Sequence, residues 1–197
     1  MALRNAVLAA LLEGEASGYE LAKGFDASVA NFWMATPQQL YKELERMSAD
    51  GLITTRLVQQ ERRPNKRLHT ITPAGRAALH AFLAEPAKPT AIRDEMMVKL
   101  QGMDSEDAPA VRATVAERIE WSRAKLARYE RLRARLMNGR SEQAYLAEAE
   151  RIGPYLTLLR GIAFEQENIR WGEFAVAAID RRISAALEPD RAPTADL

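Results

Sequence analysis

The chain has 197 residues, a net charge of +1 and 47% hydrophobic residues, which suits one or two compact domains. It contains no cysteine, which excludes disulfides, thiol catalysis and thiolate metal sites. No apolar run is long enough to span a bilayer, so we expect no membrane partner. The short apolar N-terminus is followed by acidic residues, and we interpret it as the first core helix of a cytoplasmic protein rather than as a signal peptide.

The first third of the chain predicts short elements joined by turns. An apolar stripe over residues 3–12 predicts a helix. Ser17 and Glu20 have the spacing of a capping box, which opens a second helix through Phe25. Residues 26–35 then form a connection that carries Phe32 and Trp33.

A third helix is predicted from Thr36 to Gly51. Thr36 is a suitable N-cap, Pro37 suits the first helical position, and Gln39 completes a capping box. Gly51 is a typical helix stop.

A charged hairpin is predicted after this helix. Residues 52–59 and 67–72 have the β-branched, alternating character of strands, and Pro64-Asn65 forms the tip between them. The basic residues near the tip are Arg62, Arg63, Lys66 and Arg67. A fourth helix follows from Thr72 to about Leu83. The order helix, strand, charged tip, strand, helix is typical of a winged helix-turn-helix, which binds DNA.

The third helix divides into a core face and a polar face at 100° per residue. The core face carries Leu40, Leu44 and Met47. The polar side includes Gln38, Gln39, Lys42, Glu45 and Arg46, with Tyr41 at the boundary. Glutamine and lysine side chains bind base edges in the major groove, while tyrosine hydroxyls and surface cations bind phosphate. The same composition also describes an ordinary solvated helix face, and charges on a hairpin also prevent edge aggregation.

The second part of the chain is almost entirely helix-forming. Prolines in the segment 84–90 mark a linker, so we predict a DNA-binding domain over 1–86, a helical domain over 87–188 and a disordered tail over 189–197. Helices are predicted over 92–101, from Ser105 or Asp107 to Met137, and from Ser141 onwards with a break at Gly153-Pro154. Long apolar stripes over 108–137 and 155–187 predict a helical dimer interface, because a partner helix would cover such faces.

Other kinds of site have weak support in the sequence. His69 and His80 lack partners at metal-ligand spacing, and we expect no metal and no cofactor. Neither a nucleophile elbow nor a glycine-rich phosphate loop is present, so no enzyme is predicted. Three aromatic side chains of the helical part either line an effector pocket or belong to the core. They are Trp121, Phe164 and Trp171.

Several short motifs, in order, resemble the PadR family of bacterial transcriptional regulators. They are Gly18-Tyr19-Glu20, Phe32-Trp33, Leu40-Tyr41, Leu44-Glu45-Arg46-Met47, Asp50-Gly51-Leu52-Ile53 and Ile71-Thr72-Pro73-Ala74-Gly75. The resemblance covers about residues 3–83; the segments 93–100 and 160–171 are similar, more loosely, to the larger C-terminal domain of some members. Many relatives carry two aromatic residues where this chain has Leu68 and His69.

The resemblance implies a homodimeric repressor that binds an inverted-repeat operator and is released by a small molecule. It also implies that Tyr19 and Tyr41 lie at or near the DNA backbone. We therefore predict a mainly α protein with a small β-hairpin, in which a winged helix-turn-helix precedes an all-α dimerisation domain. The alternative is a winged-helix module that binds proteins and has no specific DNA target.

Overall fold

The computed structural model describes residues 2–25, 35–59, 65–87, 89 and 93–187. The chain divides into two compact units, which we call the first unit (1–89 with 148–158) and the second unit (90–147 with 159–197). The predicted connection residues Phe32 and Trp33 and the predicted tail lie outside the described residues. Among the helices that are described, none is long and apolar enough to cross a membrane.

The part of the first unit within residues 1–89 contains four α-helices and a small sheet among its described residues. The elements are α1 (Ala2–Ala10), a 3-10 turn (Leu11–Glu13), β1 (Ala16–Ser17), α2 (Gly18–Phe25), α3 (Pro37–Ala49), β2 (Ile53–Val58), β3 (Lys66–Ile71) and α4 (Pro73–Leu83). The sheet is antiparallel with the order β1-β3-β2. The predicted hairpin is confirmed, whereas the sequence did not predict β1 as a strand.

Both predicted capping boxes form, and they fix where α2 and α3 begin. The Thr36 hydroxyl accepts from the Gln39 backbone N–H at 3.2 Å, and the Gln39 side-chain oxygen accepts from the Thr36 N–H at 2.9 Å. The Glu20 carboxylate accepts from both the backbone N–H and the hydroxyl of Ser17, each at 2.8 Å. At its other end α3 stops at Gly51, whose φ of 70° is left-handed and favours glycine.

The hairpin register joins the wing to the helix-turn-helix. Strands β2 and β3 pair from Ile53 with Ile71 to Val58 with Lys66. On the other side of β3, Ser17 pairs with Leu68, so β1 ties the start of α2 to the wing. The core of the unit lies beneath this frame and includes Val7, Leu8, Leu11, Leu40, Leu44, Met47, Ile53, Ile71 and Leu79. The predicted core face of α3 is therefore buried.

The regular elements of the second unit are all helices within its described residues. Its elements are α5 (Glu95–Gly102), α6 (Ala108–Met137), α7 (Glu142–Glu148) and the larger part of α8 (Gly153–Leu187). Helix α5 begins later than predicted because the Asp94 carboxylate caps it by accepting from the Met96 N–H at 3.1 Å. Helix α6 ends as predicted, with Asn138 and Gly139 at positive φ.

The apolar stripes of α6 and α8 are largely buried within the chain itself, which corrects the argument that a partner must cover them. Val115 and Ile119 of α6 pack in one cluster with Ala175 of α8 and Met96 of α5. Within residues 155–187 of α8, Phe174 is 67% exposed and does not belong to the core.

Candidate nucleic-acid interface

The polar face of α3 is exposed along its N-terminal half. Gln38 and Lys42 are exposed, whereas Leu40, Leu44 and Met47 on the opposite side are at most 2% exposed. None of the described acids pairs with Lys42. The helix therefore presents an amide and an unpaired ammonium group in the half from which recognition helices contact bases.

Two polar residues of α3 are engaged in the helix itself. The side-chain oxygen of Gln39 belongs to the N-terminal cap, so its amide N–H groups remain as donors. The Arg46 Nε lies 4.0 Å from the Asp50 carboxylate, and Arg46 makes no ion pair with Glu45. No cation of the described residues pairs with Glu45, so its carboxylate on the exposed face is not neutralised by them.

An open cavity of about 1290 Å³ lies between α2, α3 and the hairpin. We call it the wing groove. Its lining residues are Ser17, Gly18, Tyr19, Glu20, Lys23, Tyr41, Leu44, Glu45, Ser48, Thr55, Leu57, Asn65, Lys66, Arg67 and His69. The structure thus brings the predicted contacts Tyr19, Tyr41, Lys66 and Arg67 to one groove, which runs beside the exposed face of α3.

The two tyrosines project into this groove with much of their surface free. Tyr19 is 68% exposed and Tyr41 is 49% exposed. An exposed tyrosine offers a hydroxyl donor to phosphate and a ring face to deoxyribose. Arg67 is also exposed and, among the described residues, has no acidic partner.

Lys66 differs from the other predicted cations because it is held by Glu20. Its Nζ lies 2.7 Å from a Glu20 carboxylate oxygen, so the first residue of β3 is tied to α2. The Lys66 hydrogen bond, followed by those from Ser17, lowers the pKa of Glu20 from 4.5 to about 2. The carboxylate is therefore ionised at neutral pH and braces the wing against α2.

A chain of polar side chains crosses the floor of the groove. The Ser48 hydroxyl lies 3.4 Å from the Thr55 hydroxyl, which in turn lies 3.0 Å from Nδ1 of His69. His69 is 7% exposed, and its burial, with the nearby charge of Arg67, lowers its pKa. A neutral imidazole at this position links α3 to both wing strands.

Sequence reasoning missed one cation of the groove and named two that fall outside the described residues. Lys23, in the last turn of α2, is exposed and lines the groove. Its charge was visible in the sequence, but its position beside Tyr19 follows from the helix-turn-helix packing. The predicted contacts Arg62 and Arg63 lie outside the described residues.

The three aromatic residues predicted for an effector pocket have different environments. Trp171 packs against the core cluster of the second unit. Trp121 is 63% exposed on α6, and Phe164 is 43% exposed on α8 beneath the Arg160 guanidinium. None of the three lines the wing groove or the cleft of about 320 Å³ between α6 and α8.

Comparisons with known proteins identify the family of the chain. Residues 7–81 match the model of the transcriptional regulator PadR-like family, and residues 92–180 match that of the virulence activator alpha C-terminal domain. A probable transcriptional regulator of Mycobacterium tuberculosis is 34% identical over 92% of this chain and all of its own length.

The chain belongs to the PadR-like family of transcriptional regulators. As a PadR-family member it is a DNA-binding regulator. The curated negative transcriptional regulator PadR of Bacillus subtilis is 27% identical over 91% of this chain and 98% of its own length.

Solved structures of PadR-family relatives share the fold along most of the chain. Bacillus subtilis PadR in complex with operator DNA has a TM-score of 0.69 at 27% identity, and covers 91% of this chain and all of its own. The same protein with p-coumaric acid has a TM-score of 0.62. The Vibrio cholerae virulence activator AphA has a TM-score of 0.64 at 31% identity, over 91% of this chain and 99% of its own.

Proposed function

We propose that this PadR-family chain is a cytoplasmic, homodimeric repressor that binds an inverted-repeat operator and is released by a small molecule. In this proposal residues 1–86 bind DNA, and residues 87–188 dimerise and take the effector. The observation that carries the proposal is the unpaired polar edge of α3, made of Gln38 and Lys42, beside the tyrosines and cations of the wing groove.

Base reading is assigned to the N-terminal half of α3. The Gln38 side-chain oxygen can accept from N6 of adenine while its NH2 group donates to N7, and Lys42 can reach guanine acceptors. Gln39 contributes donors alone because its oxygen caps the helix. Arg46, one turn beyond Lys42 and only weakly held by Asp50, is assigned to the adjacent backbone.

Phosphate contacts are assigned to the groove and the wing. The groups concerned are Tyr19, Tyr41, Lys23, Arg62, Arg63, Lys66 and Arg67. Because Lys66 is paired with Glu20, it shares its remaining N–H donors with a phosphate instead of offering a free charge. Lys23 and Arg67 therefore supply the larger electrostatic contribution within the described groove.

Dimerisation is assigned to exposed aromatic surface of the second unit. The apolar stripes of α6 and α8 are largely buried within the chain. Trp121 on α6 and Phe174 on α8 are nevertheless each more than three-fifths exposed. Large exposed aromatic side chains are typical of interface anchors. A second copy is the proposed occupant, because an inverted repeat requires two recognition helices related by a two-fold axis.

Repression and a small-molecule effector are inferred from one relative. Bacillus subtilis PadR is a negative regulator and has been solved with p-coumaric acid. We propose that the effector of this chain binds at the dimer seam beside Trp121 and Phe164, with Trp171 supporting the seam from the core.

The test is a fluorescence anisotropy titration of the full chain against two duplexes. One is a duplex recovered by the purified protein from a random-sequence pool, which we call the selected duplex, and the other is its scrambled counterpart. Lys42→Ala should weaken binding to the selected duplex about tenfold and leave scrambled binding nearly unchanged, as for loss of a base contact. Equal affinity of wild type for both duplexes, at every salt concentration, would refute specific DNA binding.

A further inference from the structure

The close approach of Gly18 to Tyr41 carries a further inference. A Cβ built on Gly18 would overlap Cε1 of Tyr41 and would lie 3.1 Å from Cδ1 and 3.2 Å from Cζ. The tyrosine ring is therefore packed directly on the backbone of the first residue of α2. A side chain at position 18 and the observed ring position exclude each other.

The need for glycine here is steric and does not come from the backbone conformation. The glycines with positive φ are Gly14, Gly51 and Gly139, and Gly18 is not among them. An alanine at position 18 could adopt the local backbone and would suit the first helical turn. The alanine side chain would, however, overlap the Tyr41 ring in its observed position.

Strand pairing and hydrogen bonds of the neighbouring residues fix the backbone of Gly18 beneath the Tyr41 ring. Ser17 pairs with Leu68 of β3, and the Ser17 hydroxyl accepts from the Glu20 N–H at 3.2 Å. Glu20 also holds Lys66 at the start of the wing. The backbone of Gly18 is therefore fixed to both the sheet and α2, whereas the Tyr41 ring, 49% exposed, can move outwards into the groove.

We propose that Gly18 is a positioning residue for the contact between Tyr41 and DNA, an inference that rests on the proposed function. Gly18 sets the direction of the ring, and hence where the Tyr41 hydroxyl meets the phosphate. A larger residue at position 18 swings the ring into the open groove and removes that contact while the fold persists. The effect of Gly18 on binding is exerted entirely through Tyr41.

A double-mutant cycle tests this dependence. Gly18→Ala, Tyr41→Ala and the double variant are titrated against the selected duplex, with thermal unfolding measured for each. Gly18→Ala should weaken binding about tenfold, the size expected for one lost hydrogen bond to a charged group. The double variant should bind no more weakly than Tyr41→Ala alone, because the two changes remove the same contact.

The matched control is Gly102→Ala, a change of the same size in the last turn of α5. A Cβ at Gly102 meets nothing within 4 Å, so the variant should bind like wild type. Additive losses in the double variant, or wild-type affinity of Gly18→Ala beside a weakened Tyr41→Ala, would overturn the positioning role alone. Wild-type affinity of Tyr41→Ala would overturn both this role and the proposed Tyr41 contact.

A measurement on the unaltered protein covers the case in which Gly18→Ala does not fold. Nuclear Overhauser effects between the Gly18 α-protons and the Tyr41 ring protons should be present in the free protein. They should persist when the selected duplex is bound. Their loss in the complex would contradict the inference, because the ring would then have left Gly18 to reach DNA.

Discussion

The second unit carries a set of ion pairs between its segments, whereas two cations of the first unit have no acidic partner among the described residues. In the second unit, five cations pair with acids of other segments, and the pairs are Arg112–Asp180, Arg118–Asp94, Arg123–Glu173, Lys125–Glu165 and Arg133–Glu142. In the first unit, Arg56 and Lys66 are paired in the same way with Glu15 and Glu20. Lys42 and Arg67 have no such partner among the described residues. The location of unpaired cations is therefore more informative than the net charge of +1.

The largest expected effect comes from removing two cations of the first unit that have no acidic partner among the described residues. Lys42→Gln with Arg67→Gln should weaken binding to the selected duplex about a hundredfold at physiological salt. The salt slope should fall by about one, because Arg67 is assigned to a phosphate and Lys42 to a base. A salt series by anisotropy measures both quantities. The charge-matched control is Lys99→Gln with Arg170→Gln in the second unit, which should leave the slope unchanged. Equal losses from the two pairs would remove the contrast between the units.

A smaller effect, on stability, is expected from the buried carboxylate of the second unit. Glu165 is 3% exposed and is held by Lys125 at 3.0 Å and by Asn168 at 3.1 Å. Lys125→Ala leaves this charge poorly compensated and should lower the free energy of unfolding by about 2 kcal/mol in urea titrations. Arg170→Ala breaks a fully exposed pair and should change stability far less. Equal losses of unfolding free energy in Lys125→Ala and Arg170→Ala would show that burial of the carboxylate does not decide how much an ion pair stabilises the unit.

A pH effect is expected at the floor of the wing groove. Because burial lowers the folded-state pKa of His69 below 6.5, its stabilising contribution is complete above pH 6.5 and is lost as the pH falls through the folded value. Wild type should therefore lose melting temperature on acidification in this range more steeply than His69→Gln. Parallel melting curves for the two proteins between pH 7.5 and about 5 would contradict the buried, neutral imidazole.

The smallest effect concerns the brace between Glu20 and Lys66. The pKa of Glu20 falls from 4.5 to about 2 on folding, so its contribution is present above pH 4.5 and is lost as the pH approaches 2. Both side chains are partly exposed, so the pair should contribute no more than about 1 kcal/mol. The free energy of unfolding of Glu20→Gln should therefore fall less than that of wild type as the pH drops from 4.5 towards 2. A carboxyl resonance that titrates near 4.5 by NMR would rule out the brace.

The first unit was largely predictable because its signals are local. The capping residues Thr36 and Gln39 are three positions apart, and the turn at Gly51 needs no distant partner. The two-residue strand β1 has no periodicity to detect, so it was missed. Contacts between distant positions, such as Lys66 with Glu20, depend on the register of the hairpin and could not be inferred from spacing.

The sequence predicted the helices of the second unit but not which of their faces are buried within the chain. An apolar stripe indicates that a helix face is covered, but not whether its own chain or a partner covers it. The chain's own α5 and α8 pack against Val115 and Ile119 of α6, whereas Trp121 and Phe174 stay exposed. Polar residues within the buried faces, such as Ser122 and Glu165, gave no sign of their burial in the sequence.

The most direct test of the central claim is a base-substitution profile of the selected duplex for two single variants. Lys42→Ala should relax the preference at one base pair in each half-site and leave the others as in wild type. Arg67→Ala should weaken binding to every duplex by the same factor, because a phosphate contact carries no base preference. A uniform loss for Lys42→Ala would contradict the assignment of base reading to the polar edge of α3.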